Sequence, residues 1–261
     1  MRRRIAVAAG LLLALDWGAV AQHAVGSADA GRRLLAAYPD HLAAVEGNDL
    51  IWRDGTRMRL DDGSPPKTHD AWLQSPDLAD MFRQPYPAGS DAAAPARNFD
   101  PGRARNSAFF RKMYGNCHAG PSQLALVDVA WLPKHSKTRL RVTSVNGVAA
   151  RLAQVGAELD ALPDRFMPFL LPAAGTYNCR SVAGTTIDSA HGYGIAIDIA
   201  VKPSDYWRWA KPDASGVAPW RNRIPMEIIR AFEKHGFIWG GRWSHFDTMH
   251  FEYRPELLPP K

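Results

Sequence analysis

Cysteine is scarce in this sequence, and it has no long apolar run of the kind that spans a membrane. The 261 residues include only 2 cysteines, which excludes cysteine-rich zinc modules and small domains held by several disulfides. No segment after residue 21 has the roughly 20 apolar residues that a membrane-spanning helix needs. Internal repeats are lacking, and no basic stripe carries stacking aromatic residues, so the sequence predicts no binding to nucleic acid.

The composition is that of a globular protein. Hydrophobic residues make up 46% and charged residues 22% of the chain, which excludes a disordered chain, a collagen and a coiled coil. The length suits one large or two small domains with a sizeable core. The formal net charge is +6, and without residues 1–21, which hold three Arg and one Asp, it is +4 and diffuse, which suits an anionic polymer such as the cell wall.

The first residues have the three parts of a secretory signal peptide. Arginines occupy positions 2–4, an apolar stretch covers 5–15, and the small-x-small pattern at 19–21 is a cleavage signal. The sequence therefore predicts a signal peptide over 1–21 and an exported protein, periplasmic or secreted, with no stable membrane span after cleavage. An uncleaved N-terminal anchor is the alternative.

An exported protein with an even number of cysteines commonly pairs them. Cys117 and Cys179 are therefore predicted to form a disulfide, which would close a loop of about 60 residues. Two free buried thiols are the alternative. A cysteine-based zinc site is disfavoured because the sequence has no Cys-x-x-Cys spacing.

Residues 22–110 are predicted to form an irregular N-terminal extension. Helical spacing of apolar residues predicts a helix over 28–46. Residues 50–60 alternate on either side of Asp54-Gly55, a favoured two-residue turn, and so predict a β-hairpin. A loop rich in proline, glycine and alanine follows, and it is expected to wrap the next domain rather than form its own core.

Residues 111–261 are predicted to form the main domain, with an α+β fold. Two strands and two helices are expected, at 124–131, 138–144, 146–162 and 225–235. Asn146 is the expected N-cap of the first of these helices, and Gly236 ends the second.

The first chemical motif is a glycine turn that leads into a strand, Ser189 to Ala200. On this strand Asp198 lies between alanines and faces away from the isoleucines. A buried carboxylate needs a partner, and the turn can fold the imidazole of His191 back toward Asp198. A purely structural His–Asp pair is the alternative for this motif alone.

The second motif runs from His245 to Tyr253. Asp247 and His250 are three residues apart and would face opposite sides of a regular strand. Both reach one site only if Asp247 lies on the loop that enters the strand of His250. Gly240-Gly241 and the neighbouring aromatic residues are typical of such a loop. His245 is expected to line the cleft, with a role behind the site as the alternative.

Together the two motifs hold the ligands of a catalytic metal ion. His191, Asp198 and His250 offer three ligands with an open fourth position, the arrangement of catalytic zinc, and one Zn²⁺ per chain is predicted. Zinc lowers the pKa of a bound water and polarises a carbonyl. Asp247 is the candidate general base.

The pair of motifs resembles the M15 family of zinc peptidases. The resemblance is carried by Ser-x-His-x-x-Gly-x-Ala-x-Asp at 189–198 and Trp-Gly-Gly-x-Trp…Asp-x-Met-His-Phe-Glu at 239–252. It implies an α+β fold in which a small antiparallel sheet with flanking helices carries a mononuclear zinc site. It also implies the same three zinc ligands. The extension over 22–110 shares no such resemblance.

The resemblance implies further roles for residues around the ligands. An arginine upstream of the first motif would bind the substrate or the developing oxyanion, and Arg180 stands in that place. Ser189 is a candidate to bond the substrate. Trp243 is expected to contribute to a substrate wall, although some of the nearby tryptophans are expected to lie in the core.

The identity of the base favours one branch of the family. The dipeptidase and carboxypeptidase branches carry Glu where this chain has Asp247, whereas the L-alanyl-D-glutamate endopeptidases carry Asp; many of that branch have Pro in place of Met249. The expected function is hydrolysis of an amide bond in peptidoglycan stem peptides, with the L-Ala-D-Glu bond favoured. The alternatives are a D-Ala-D-Ala carboxypeptidase and a non-catalytic module that binds cell wall or zinc. The oligomeric state cannot be inferred from the sequence.

Overall fold

The structure is a computed structural model that describes residues 26–120, 124–214 and 216–259. The predicted signal peptide over 1–21 lies outside these residues. None of the helices in the described ranges is both long and apolar enough to cross a bilayer.

The extension begins with a helix and a three-stranded antiparallel sheet. Helix α1 covers Ser27–Ala37, and strands β1 (Leu42–Glu46), β2 (Asp49–Trp52) and β3 (Arg57–Arg59) follow in that order in the sheet. The predicted hairpin is confirmed as β2–β3, with Gly55 in the turn at a φ of +82°. The turn has three residues, 53–55, rather than the predicted two, because Trp52 pairs with Thr56.

The prediction of one helix over 28–46 is wrong beyond Ala37. Helix α1 ends at Tyr38, whose φ of −132° and ψ of 52° are not helical. The next residue is Pro39, and a residue before proline is disfavoured in the helical region. Leu42 is therefore buried from a strand rather than from a helix.

The rest of the extension is mostly loop that leads to the next helix. Helix α2 covers His69–Gln74, and Thr68 caps it by accepting a hydrogen bond from the amide of Ala71. A 3₁₀ turn follows at Ala79–Phe82. Helix α3 then covers Ser107–Tyr114 and is capped by Asn106.

The first half of the main domain follows the predicted order. Strands β4 (Leu126–Ala130) and β5 (Arg139–Thr143) pair antiparallel, and helix α4 (Val148–Leu159) follows them. The short helix α5 covers Met167–Leu170.

Asn146 is not the N-cap of α4, contrary to the prediction. Gly147 occupies the N-cap position with a φ of +69°, and Asn146 precedes it with a φ of +53°. The left-handed conformation of these two residues changes the direction of the chain before the helix. No side chain caps α4. The helix ends at Leu159 rather than at Leu162.

The second half builds a three-stranded antiparallel sheet. Strands β6 (Ala196–Asp198), β7 (Phe237–Trp239) and β8 (His250–Tyr253) lie in the order β6-β8-β7. Helix α6 (Met226–Lys234) precedes β7, and its Phe232 stacks on Phe251 of β8 with ring centroids 3.9 Å apart. This packing fixes the strand that carries His250. The mixed helices and small antiparallel sheets agree with the predicted α+β class.

The extension and the main domain share one hydrophobic cluster. It includes Leu34 and Phe82 of the extension together with Ile197 and Phe251 of the last sheet. The domain boundary near residue 110 stays a prediction. The predicted disulfide between Cys117 and Cys179 is present, with Cα atoms 5.7 Å apart.

Candidate metal centre

The pairing of β6 with β8 brings the candidate ligands together. Asp198 and His250 are direct partners across the two strands, and a carboxylate oxygen of Asp198 lies 2.9 Å from Nδ1 of His250. His191 lies in the 3₁₀ turn Ala190–Tyr193, and its Nε2 is 3.2 Å from both of those atoms. The imidazole thus folds back toward Asp198, as the sequence predicts.

The three atoms suit a zinc ion. In a tetrahedral zinc site with bonds of about 2.0–2.1 Å, the nitrogen and oxygen ligand atoms lie about 3.3 Å apart. The separations of 3.2, 2.9 and 3.2 Å among His191, Asp198 and His250 are close to that value. Two imidazole nitrogens and one carboxylate oxygen are also a donor set that catalytic zinc sites use.

Both imidazoles are held in the tautomer that a metal ligand needs. Nδ1 of His191 donates to the backbone carbonyl of Thr176 at 2.5 Å. Nε2 of His250 donates to the carboxylate of Glu252 at 3.1 Å. The remaining nitrogen of each ring therefore faces Asp198 and would bind an ion in place of a proton, which is the usual arrangement around metal-bound histidines.

Glu252 is a buried partner of His250 rather than a solvated acid. It is 0% exposed and forms ion pairs with Arg105 at 2.9 Å and Arg254 at 3.0 Å. Burial opposes its charge, but the two arginines and His250 hold the pKa of Glu252 well below its usual range. Its carboxylate is therefore ionised and fixes the ring of His250.

Asp247 lies in the turn that enters β8, as the spacing of the motif predicts. Its amide donates to the carbonyl of Gly240 at 3.0 Å. A side chain at Gly240 would meet the carbonyl oxygen of Asp247 at 2.7 Å, so only glycine allows this close approach. The turn is thereby held against the loop after β7.

The side chain of Asp247 is suited to accept a proton. Its Oδ1 is buried and has no hydrogen-bond partner among the described residues. Burial raises the pKa of Asp247 to about 6, since the opposing pull of His250 is partly cancelled by Asp198. A carboxylate with a pKa near neutrality and a free oxygen matches the requirements of a general base.

The candidate metal ligands shift one another's pKa values. Burial opposes the charge of Asp198, yet hydrogen bonds to His191 and His250 hold its pKa well below the usual range. Burial lowers the pKa of His250, but the carboxylates of Asp198 and Glu252 outweigh it and raise the pKa to about 10. The carboxylates of Asp198 and Glu252 thus favour positive charge at His250.

Ser189 and Trp243 are buried side chains next to the ligand residues. The hydroxyl of Ser189 is buried and accepts a hydrogen bond from the amide of His191 at 3.4 Å. Trp243 is 5% exposed, and its ring lies 5.6 Å from that of His250. Its indole N–H donates to the carbonyl of Pro101. Contact of either residue with a substrate stays a prediction.

Arg180 is exposed beside the disulfide. Its guanidinium donates to the carbonyl of Ser181 at 3.3 Å, and its own carbonyl accepts from Ser189. The backbone of this residue is thus tied to the ligand-bearing turn, while the charged group is exposed to solvent. Its role toward a substrate stays a prediction.

Arg103 is a second arginine near the centre that the sequence did not reveal. The positive charge of Arg103 lowers the pKa of Asp247. Its effect is smaller than those of burial and of the other charged groups of the centre. Its guanidinium lies over Trp243 at 5.8 Å and donates to the carbonyl of His245 at 3.4 Å. Arg103 belongs to the extension, where no motif marks it.

One comparison with known proteins bears on this site. Residues 183–253 match a family model described as D-alanyl-D-alanine carboxypeptidase, within peptidase family M15. No curated protein and no solved structure matches the chain. The matched segment contains all three candidate ligands and Asp247, and it ends with β8. The resemblance to the M15 peptidases that the sequence predicted is thereby confirmed for residues 183–253.

Proposed function

We propose that this protein is an exported zinc-dependent peptidase that hydrolyses an amide bond in peptidoglycan stem peptides. The observation that carries the proposal is the cluster of His191, Asp198 and His250 with the unpartnered carboxylate oxygen of Asp247 in the turn beside it. The disulfide supports export, because disulfides persist in oxidising compartments.

The residues of the chain divide the chemistry among them. His191, Asp198 and His250 would hold one zinc ion, which would polarise the scissile carbonyl and lower the pKa of a water molecule. Asp247 takes a proton from the attacking water and returns it to the departing amine. Its raised pKa suits both steps, since the same group must accept and then release a proton near neutral pH.

Two arginines are candidates for the anionic groups of the reaction. The family resemblance assigns substrate or oxyanion binding to Arg180, whose exposed guanidinium suits a carboxylate on a flexible peptide. Arg103 is largely buried, and its charge lowers the pKa of Asp247. A guanidinium in that position is suited to stabilise the negative charge that develops on the oxygen of the reacting carbonyl. We assign binding to Arg180 and oxyanion stabilisation to Arg103. Ser189 and Trp243 would contact the substrate next to the three metal ligands.

Two stem-peptide bonds are candidates for cleavage. The aspartate at position 247 favours the L-Ala-D-Glu bond, as in the endopeptidase branch of the family. The second candidate is release of the terminal D-Ala, which the description of the matching family model favours. The two reactions share one centre and differ in where the peptide is held.

Mass spectrometry of a digested muropeptide tests the proposal and names the bond. A defined pentapeptide muropeptide is incubated with the mature, zinc-loaded protein and with an established carboxypeptidase as positive control. A cut after the first L-Ala indicates the endopeptidase, and loss of one alanine indicates the carboxypeptidase. An intact substrate beside an active control contradicts both and favours a non-catalytic module that binds cell wall or zinc.

A further inference from the structure

A second cluster of two histidines and one aspartate lies outside the centre described above. It consists of His69 at the start of α2, Asp100 in the extension, and His245 in the loop before β8. One ligand atom of each residue lies within 4.8 Å of the other two, as in the first cluster. The residue types of the two clusters are identical.

The second cluster converges on one oxygen. Oδ2 of Asp100 is 2.9 Å from Nε2 of His69 and 2.7 Å from Nδ1 of His245. Asp100 is 0% exposed, whereas the side chains of His69 and His245 are 16% and 27% exposed. The buried carboxylate thus forms the floor of a cluster that opens to solvent on the histidine side.

The other polar contacts described for this cluster involve atoms other than Oδ2 of Asp100. The other oxygen of Asp100 accepts the amide of His245 at 2.9 Å and lies 3.7 Å from Arg103. Nδ1 of His69 lies 3.5 Å from the carboxylate of Asp70, which favours a proton on Nδ1. Nε2 faces Oδ2 of Asp100, and an ion between them would replace the proton of that hydrogen bond. The two rings stack at 5.5 Å, and Trp207 packs edge-on against His245. These contacts hold both rings toward Asp100.

From this geometry we propose a second zinc site, formed by His69, Asp100 and His245 through Nε2, Oδ2 and Nδ1. The distances from Oδ2 of Asp100 to the two histidine nitrogens would increase by about half an ångström to match the ligand separations of tetrahedral zinc. The three ligands leave a position for water on the exposed side. The ion would fasten the extension, which supplies two ligands, to the loop that carries Asp247 two residues after His245.

Counting bound zinc in full-length mature protein tests the second site. The protein is dialysed with zinc, then against zinc-free buffer near neutral pH, and zinc per chain is measured by mass spectrometry. We expect two ions in the wild type, one in His69→Gln and one in His191→Gln. His135→Gln is the matched control, since His135 also contacts two aspartates but lies in neither cluster, and it should keep two ions.

The outcomes separate the second site from the proposed catalytic centre. A wild type with one ion that is lost in His191→Gln overturns the second site, even if His69→Gln fails to fold. Two ions in a folded His69→Gln variant also overturn it. One ion that survives His191→Gln but is lost in His69→Gln supports the second site and counts against the first.

Discussion

Asp198 and His250 face each other across two antiparallel strands, and their side chains meet at 2.9 Å. This pairing ties the metal centre to the register of the sheet. A shift of one residue between β6 and β8 would turn one of the two side chains to the opposite face. The stacking of Phe232 on Phe251 and the buried ion pairs of Glu252 both hold that register.

Replacing Glu252 with Gln should weaken zinc binding about 10- to 100-fold, because the amide orients His250 less well than the carboxylate does. Zinc affinity is measured by competition with a chelator. Glu256→Gln is the matched control: Glu256 is equally buried and also pairs with Arg254, but its bonds go to Tyr38 and Arg254 rather than to a ligand. Equal zinc affinities in the two variants would contradict a positioning role for Glu252.

The two arginines should differ in which kinetic constant they change. Arg103→Ala should lower kcat about 100-fold, the usual effect of removing an oxyanion donor. Arg180→Ala should raise KM and leave kcat nearly unchanged, because its exposed guanidinium binds substrate and transition state alike. Steady-state kinetics on a synthetic stem peptide separates the two effects. The reverse pattern would exchange the two assigned roles.

Removing the disulfide should destabilise the fold and loosen one ligand. The bridge spans 62 residues, so the Cys117→Ser, Cys179→Ser double variant should lose about 4 kcal/mol in free energy of unfolding. Sγ of Cys117 also packs against Gly192, next to His191. Denaturant titration gives the loss of stability, and zinc competition gives the effect on the ligand. An unchanged denaturation midpoint would count against a stabilising role.

Asp188 should make stability depend on pH. It is buried and accepts hydrogen bonds from Arg111 at 2.7 Å and Tyr193 at 3.0 Å, which hold its pKa below the usual range despite burial. A carboxyl whose pKa falls on folding stabilises the protein above its unfolded pKa of about 3.9, and this contribution is lost as pH falls through the folded pKa.

The Asp188→Asn variant checks that dependence. At neutral pH it should be about 2 kcal/mol less stable than the wild type. The difference should shrink below about pH 4, where the carboxyl of the unfolded wild-type chain takes up its proton while that of the folded protein stays ionised. Asp128→Asn is a control, since Asp128 pairs with Arg141 on the exposed surface and should change little. A difference that stays constant from pH 7 to about pH 3 would rule out the charge of Asp188 as its source.

Local sequence signals predicted the parts of the fold that local chemistry determines. Asp54-Gly55 specified a hairpin turn, and Pro225 and Gly236 bounded α6. The odd spacing of Asp247 and His250 was enough to place Asp247 before the strand. Helical periodicity failed at Tyr38, where the restriction imposed by Pro39 outweighed the pattern of Leu42 and Val45.

The supporting residues of the site could not be predicted, because they come from distant parts of the chain. Arg105 is 147 residues from its partner Glu252, and Asp100 is 145 residues from His245. Neither belongs to a motif, and the family match over 183–253 does not reach the extension that carries them. The carbonyl of Thr176, which orients His191, leaves no signal in side-chain chemistry at all.

The most direct test measures zinc content and turnover in the same preparations of wild type, Asp247→Asn and Asp198→Asn. The wild type should bind zinc at the first centre and cleave a stem peptide. Asp247→Asn should keep that zinc and lose 100- to 10,000-fold in kcat, about the contribution of a general base. Asp198→Asn should lose zinc and activity together. Full turnover in folded Asp247→Asn, or in wild type stripped of metal, would contradict a zinc peptidase with Asp247 as its base.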